Sequence, residues 1–262
     1  MIAALSIGLV AFGVSLLTLF SGFGLGTLLM PAFALFFPVD VAVASTAIVH
    51  AANNLFKVGM LAANARRDVI LRFGLPGVFA SFLGALLLTS LAGQAPLARW
   101  SLAGRTVDIV PVELVMGLLI LAFALLELVP ALRRWRAPTR WLPVGGALSG
   151  FFGGLSGHQG ALRAAFLTPM GLSPGQFAST QAVIGLLVDG ARLVVYGWTF
   201  ARLRDGDDAA IAWPVVAVTA VCACAGALLG KRLLPTITFE ALHLVVGVLL
   251  LVVGLAMASG LT

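Results

Sequence analysis

Residues 142–172 read LPVGGALSGFFGGLSGHQGALRAAFLTPMGL. An apolar run of 14 residues, Leu142 to Leu155, and another of 12, Ala161 to Leu172, flank Ser156-Gly157-His158-Gln159-Gly160. At about 1.5 Å per residue, each run covers roughly half of a ~30 Å hydrocarbon core. Irregular backbone at that depth survives only where it is buried in protein or lines a wet cavity. The stretch therefore reads as a helix broken inside a membrane. The N-terminal part of the chain contains a second such break, Ser21-Gly22-Phe23-Gly24-Leu25-Gly26, followed by an 11-residue run from Thr27 to Phe37.

Composition agrees. The 262 residues are 61% hydrophobic and 10% charged, with a mean hydropathy of +1.10. Soluble domains are roughly 45–50% apolar and about 25% charged. A soluble enzyme, a secreted disulfide scaffold and a disordered chain are excluded on this ground. Of the 16 basic residues 14 are Arg, mostly in short loops beside apolar runs. The net charge of +6 thus reads as positive-inside bias rather than as a nucleic-acid surface. Cys222 and Cys224 lie two apart in an apolar run and point to nearly opposite faces, as small packing residues. Three His and two Cys without ligand spacing point to no metal and no cofactor. Met1 opens directly into an apolar run without a charged leader, which argues against a cleaved signal peptide.

The remaining apolar runs are Ile2 to Phe20, Val41 to Ala63, Val69 to Ala92, Val110 to Val129, Gly175 to Gly197, Ile211 to Leu233 and Ile237 to Ser259. All five Trp fall at run ends, where amphipathic rings belong at headgroup level. The expected fold is an all-α integral membrane protein with about eight to ten membrane segments in one transmembrane domain. It divides into two homologous halves, 1–130 and 131–262. Ser21-Gly22 corresponds to Ser156-Gly157, Ala44-Ser45-Thr46 to Ala178-Ser179-Thr180, and Asn54-x-x-Lys57 to Asp189-x-x-Arg192. Gly84-Ala85-Leu86-Leu87 corresponds to Gly226-Ala227-Leu228-Leu229, and Val115-Met116-Gly117 to Val245-Val246-Gly247. Five matches in the same order are the signature of an internal repeat.

If both broken segments are re-entrant hairpins, the loop at 64–68, the 133–140 linker and the loop at 231–236 share one side, with nine positive residues against four opposite. That side is then cytoplasmic, both termini lie outside, and the halves are inverted. If each break crosses once, the halves are parallel, both termini lie inside and the count is unchanged. Half-helix tips meeting at the midplane from opposite sides recur in transporters, which favours the inverted form.

Lys57, Arg163, Asp189 and Arg192 lie well inside apolar runs. Each costs roughly 2.5–3.5 kcal/mol at a helix centre, so each should face protein or water. Asp189 and Arg192 are spaced for an i,i+3 pair, a structural reading that competes with a coupling role for Asp189. Lys57 is near enough to its helix end to snorkel; Arg163, just after the glycine-rich break, is not. The interior holds three positive charges against one negative, and a cationic wet cavity takes an anion. Helix N-termini near Thr27 and Ala161 add free N–H groups, which glycines at Gly24, Gly26 and Gly160 leave open to close approach. His50, Asn53, Asn54 and Lys57 share one helix face at i, i+3, i+4, i+7. With His158, Gln159, Gln181 and Arg192 they complete the candidate anion site. Ser45, Thr46, Ser179 and Thr180 read as helix-joining polar residues, and His243 as a packing histidine. The four-residue spacing of Gly77, Ser81 and Ala85, and of Cys222, Gly226 and Gly230, reads as close helix contact.

Taken together, the Gly-rich break opening each half, the Ala-Ser-Thr helix start, the basic loop after that helix and the Gly-Ala-Leu-Leu helix resemble the TauE/SafE sulfite exporter family over nearly the whole chain. The resemblance implies transport of sulfur-containing anions such as sulfite, sulfoacetate or other organosulfonates. At the second break Ser156-Gly157-His158-Gln159-Gly160 replaces a plainer run of glycines, and Arg163 follows; the added fixed charge suits an anion.

The expected function is secondary transport, in the export direction, of a small organic or inorganic oxyanion across a bacterial inner membrane, by alternating access around a midplane cationic site. No Walker motif is present, so the driving force is the anion's own gradient with the membrane potential, or coupling to H+ or Na+ through His50, His158 or Asp189. The expected partners are the anion and the lipid bilayer, without nucleic acid; a homodimer is left open. The competing readings are a small-anion channel, an accessory subunit without transport of its own, and a rhomboid-like intramembrane protease. The protease would use Ser156 of Gly154-Leu155-Ser156-Gly157, with His50 or His243 as base.

Overall fold

Each apolar run forms a helix in the computed structural model, which describes residues 2–18, 25–102, 105–202, 211–233 and 239–261. The helices are α1 (Ile2–Thr18), α2 (Leu25–Ala34), α3 (Val39–Leu61), α4 (Arg67–Leu91) and α5 (Pro111–Leu128). They continue as α6 (Leu142–Ser156), α7 (Gly160–Leu167), α8 (Pro174–Arg202), α9 (Trp213–Leu233) and α10 (Phe239–Ala258). Prolines open several of them, because a first-turn residue needs no N–H partner: Pro111 begins α5 and Pro143 follows the first residue of α6. Pro76 lies inside α4, where it cannot donate to the carbonyl four residues back, and the ladder loosens into a π-helical turn over Ile70–Gly74 immediately before it.

Five described helices, α3, α4, α5, α8 and α9, are long and apolar enough to cross a membrane, and shorter apolar helices accompany them. The surface is turned out for lipid: Leu5, Leu9, Phe79, Leu83, Val221, Val252 and Leu255 are exposed, while Ser45, Thr46, Asn53, Asp189 and Arg192 are buried. Among the described residues the exception to helix is a hairpin, β1 (Ala98–Leu102) paired antiparallel with β2 (Arg105–Ile109). Here the expectation of an all-helical chain gives way locally. Arg99 faces Asp108 across the strands with a 2.9 Å ion pair, and Trp100 faces Val107. Trp100 Nε1 also donates to Ser259 O at 2.9 Å, so the hairpin and the end of α10 lie at one end of the bundle.

Small residues set the packing. Gly146, Gly150 and Gly154 of α6 lie directly against the backbone of Phe73, Gly77 and Ser81 of α4, a parallel crossing that leaves no space for a Cβ. Gly8 of α1 meets Cys222 of α9, and Gly226 and Gly230 of α9 meet the carbonyls of Phe12 and Leu16, again in parallel. α5 and α10 run antiparallel, with Gly117 on the backbone of Ala258 and Gly247 on Leu128. α3 and α8 run antiparallel through the centre, joined near one end by Arg66 N–H donating to Thr180 Oγ1 at 3.0 Å.

α6 ends at Gly157, whose φ of 84° is the left-handed conformation that glycine adopts without strain. The chain then reverses. Ala137 N–H, before α6, donates to Ala165 O near the end of α7 at 3.2 Å, and Trp135 packs edge-on against Phe166 with ring centroids 5.8 Å apart. The Phe166 ring also fills the place where a side chain on Gly145 would stand. The end of α7 thus returns to the end of the bundle at which α6 begins.

Candidate functional site

α3 buries His50, Asn53 and Asn54, and α8 crosses it with Gln181, Asp189 and Arg192, also buried. Asp189 and Arg192 are both fully buried, and Asp189 Oδ1 accepts from Arg192 Nε at 3.1 Å and Nη2 at 2.7 Å. Gln159 Nε2 donates to the same oxygen at 3.4 Å. Asp189 Oδ2 accepts from Asn54 Nδ2 at 2.9 Å and lies 2.6 Å from His50 Nδ1. The carboxylate is therefore held from both α3 and the α6–α7 turn as well as from its own helix. Arg192 Nη1 reaches on to Gly153 O at 3.2 Å, while the Tyr196 hydroxyl donates to Gly154 O. These two bonds tie α8 to the last turn of α6, where the carbonyls of an ending helix need partners.

Arg163 stands differently. It is 3% exposed, within the first turn of α7. Nη1 donates to Gln181 O at 2.6 Å, Nε has no partner, and no carboxylate oxygen of the described residues lies within 4.0 Å. Gly185 makes the room: a Cβ there would lie 2.6 Å from Asn54 Nδ2 and 3.0 Å from Arg163 Nη1. Three more buried polar atoms, Gln181 Nε2, Gln159 Oε1 and His158 Nε2, make no hydrogen bond among the described residues. A buried polar atom without a partner costs about 1–3 kcal/mol, so such atoms call for a bound guest or water.

His158 stacks on Phe123 with ring centroids 5.3 Å apart. Its Nδ1 lies 3.1 Å from Ser156 Oγ, which gives its own proton to Phe152 O at 3.0 Å. Nδ1 therefore donates there, and Nε2 is turned to the Thr27 backbone. Ser156 is thus spent on the turn, and the two histidines read as bases for it are engaged elsewhere: His50 with Asp189, and His243 with Glu127 at 2.6 Å.

The described end of the first break meets the second. A Cβ on Gly26, in the first turn of α2, would stand 2.7 Å from Gly157 O and 3.8 Å from His50 Cδ2. Thr27 beside it is buried, as is Gly160. Gly24 lies outside the described residues. Lys57 is half-buried and turned aside toward α9: Asn53, with its amide donating to Ala223 O at 3.3 Å, accepts from Lys57 Nζ at 3.1 Å. Residue spacing did not reveal Phe123, Tyr196 or the Glu127–His243 pair. No group of three or more metal-ligating side chains occurs among the described residues.

The family model described as Sulfite exporter TauE/SafE matches residues 7–257. This chain belongs to that family. Neither the curated proteins nor the solved structures compared with it gave a match. Membership makes this TauE/SafE chain a multi-pass membrane protein of a transport family, in keeping with its apolar helices and lipid-facing surface.

Proposed function

We propose that this TauE/SafE chain is a secondary transporter that exports a small oxyanion, sulfite or an organosulfonate such as sulfoacetate, across a bacterial inner membrane. The anion sits where the two breaks meet, and alternating access moves the halves about it. One observation carries the reading: Arg163, buried at the start of a half-helix, has an open Nε and, among the described residues, no carboxylate against it. Arg163 Nε and Gln181 Nε2 donate to the anion's oxygens, assisted by the positive end of α7. Gln159 Oε1 and His158 Nε2 accept from water or from the anion's own hydroxyl. Arg192, His50 and Asn54 hold Asp189 in place as the internal counter-charge. Lys57 supplies a more distant positive charge.

The halves are read as inverted repeats. Exchanging them converts the α4–α6 contact into the α9–α1 contact and the α8–α4 contact into the α3–α9 contact, and it leaves the α3–α8 and α5–α10 pairs in place. The return of α7 to its side of entry supports the hairpin form, with nine positives on the cytoplasmic side and both termini outside.

The test is anion-induced thermal stabilisation of purified protein. At 100 times Kd a ligand adds about 2.7 kcal/mol. Sulfite or sulfoacetate should stabilise the parent, Arg163→Lys much less, and Arg163→Gln least. A lysine keeps the charge but not the fork of parallel donors. Full stabilisation of Arg163→Gln by the anion would refute the site.

A further inference from the structure

Asp189 is bound by Arg192, His50, Asn54 and Gln159 at once, an arrangement that fixes a charge and leaves no vacancy for a travelling proton. A second buried carboxylate is built otherwise. Glu127, near the end of α5, is 4% exposed, and its Oε2 lies 2.6 Å from Nδ1 of His243 on α10, 116 residues away. The pair opens on a cavity of about 240 Å³, walled on one side by Trp135 and Arg136 of the linker and on another by α7. α7 turns Ala161 and Ala165 to this cavity and Arg163 to the other side. One short helix therefore separates the Glu127–His243 pair from the proposed anion site.

We propose that the Glu127–His243 pair is a proton-binding site, loaded from water in this cavity and coupled to the anion across α7. The proposal rests on the transport reading above; a proton carried with the anion leaves against an outside-acid gradient, so export then requires an outward anion gradient larger than that pH difference. With Glu127 ionised and His243 protonated the pair is neutral, and one proton occupies the 2.6 Å hydrogen bond. A further proton from water adds to the carboxylate and leaves the pair with one positive charge; its return to water restores neutrality. The charge appears behind α7 while the anion sits in front of it, so proton and anion favour each other's binding, reciprocally.

Among the described residues, the other groups lining the cavity do not duplicate this role. Arg136 is a fixed cation whose Nη1 donates to Trp135 O at 2.9 Å, and α7 presents no titratable side chain to the cavity. Glu240, one turn before His243, has its side chain outside the described residues.

The experiment uses the whole protein in liposomes, with the membrane potential clamped at zero. The probe is whichever of labelled sulfite and sulfoacetate stabilises the parent. One-for-one coupling to a gradient of one pH unit, acid on the outside, drives about tenfold accumulation, because one unit corresponds to a factor of ten in proton activity. Glu127→Gln should lose that accumulation yet keep anion exchange at equal pH, and His243→Gln should show the same split. In detergent, anion binding by the parent should take up protons from a dilute buffer, and Glu127→Gln should take up none. Accumulation by Glu127→Gln equal to the parent's overturns the proposal. So does loss of exchange together with accumulation, which marks a structural pair, or a parent that exchanges the anion without responding to pH. A parent that neither binds nor exchanges either anion overturns the transport reading itself, and this proposal with it.

Discussion

Replacing Asp189 with Asn keeps the side-chain volume and removes the charge that Arg192 faces. Arg192 loses an acceptor of two bonds, at 3.1 and 2.7 Å, in a place where neither side chain reaches solvent. The new amide presents N–H groups to Asn54, Gln159 or Arg192, which already donate there. Breaking a buried pair by removing one partner costs about 3–5 kcal/mol. For a chain of this length, at roughly 2–4 °C per kcal/mol, that is a fall in Tm on the order of 10 °C. Removing the stranded charge as well, in Asp189→Asn with Arg192→Gln, should recover part of the loss, with a coupling of about 1–3 kcal/mol. Thermal unfolding in detergent, followed by tryptophan fluorescence, measures all three variants. Strictly additive losses, or a single variant as stable as the parent, would refute the account of Asp189 as a carboxylate held by a buried cation.

Gly150→Ala should destabilise by about 1–3 kcal/mol, because its Cβ would overlap the backbone of Gly77; unchanged stability would reject the close α4–α6 crossing. Gly59→Ala on α3 meets nothing within 4 Å and should gain up to ~1 kcal/mol, measured by the same unfolding assay. Lys57→Gln should weaken anion-induced stabilisation less than Arg163→Gln, since Lys57 is turned toward Asn53; an equal loss would place Lys57 on the anion. A reporter active only in the cytoplasm, fused after Thr262, should stay silent, and activity there would overturn the inverted arrangement.

Helix positions were legible because length and breakers, not periodicity, mark them in an apolar chain. Gly157 and the prolines at helix starts declare the boundaries. The four-residue spacing of Gly77 and Ser81, and of Gly226 and Gly230, also told true, since only small residues permit backbone contact. The i,i+3 spacing of Asp189 and Arg192 announced their pair. What spacing conceals is which helix lies opposite. His50 and Asp189 are 139 residues apart and His243 and Glu127 are 116 apart, and with every face apolar no moment points one helix at another. Arg163 was visible as a buried charge, but its partner is a backbone carbonyl, Gln181 O, which every residue carries and no sequence reveals. The β1–β2 hairpin escaped because five-residue strands between long apolar runs leave too short an alternation to read.

The parallel crossing of α1 and α9 bears on how the chain is made. Gly8 and Phe12 rest on Cys222 and Gly226, more than 200 residues downstream. At about 5–20 residues per second, a ribosome needs on the order of ten seconds or more to deliver that partner. Until then the first helix waits in the bilayer with its glycine face covered only by lipid or by the insertion machinery. Premature termination anywhere before α9 leaves that face unclaimed, a form fit for quality-control recognition.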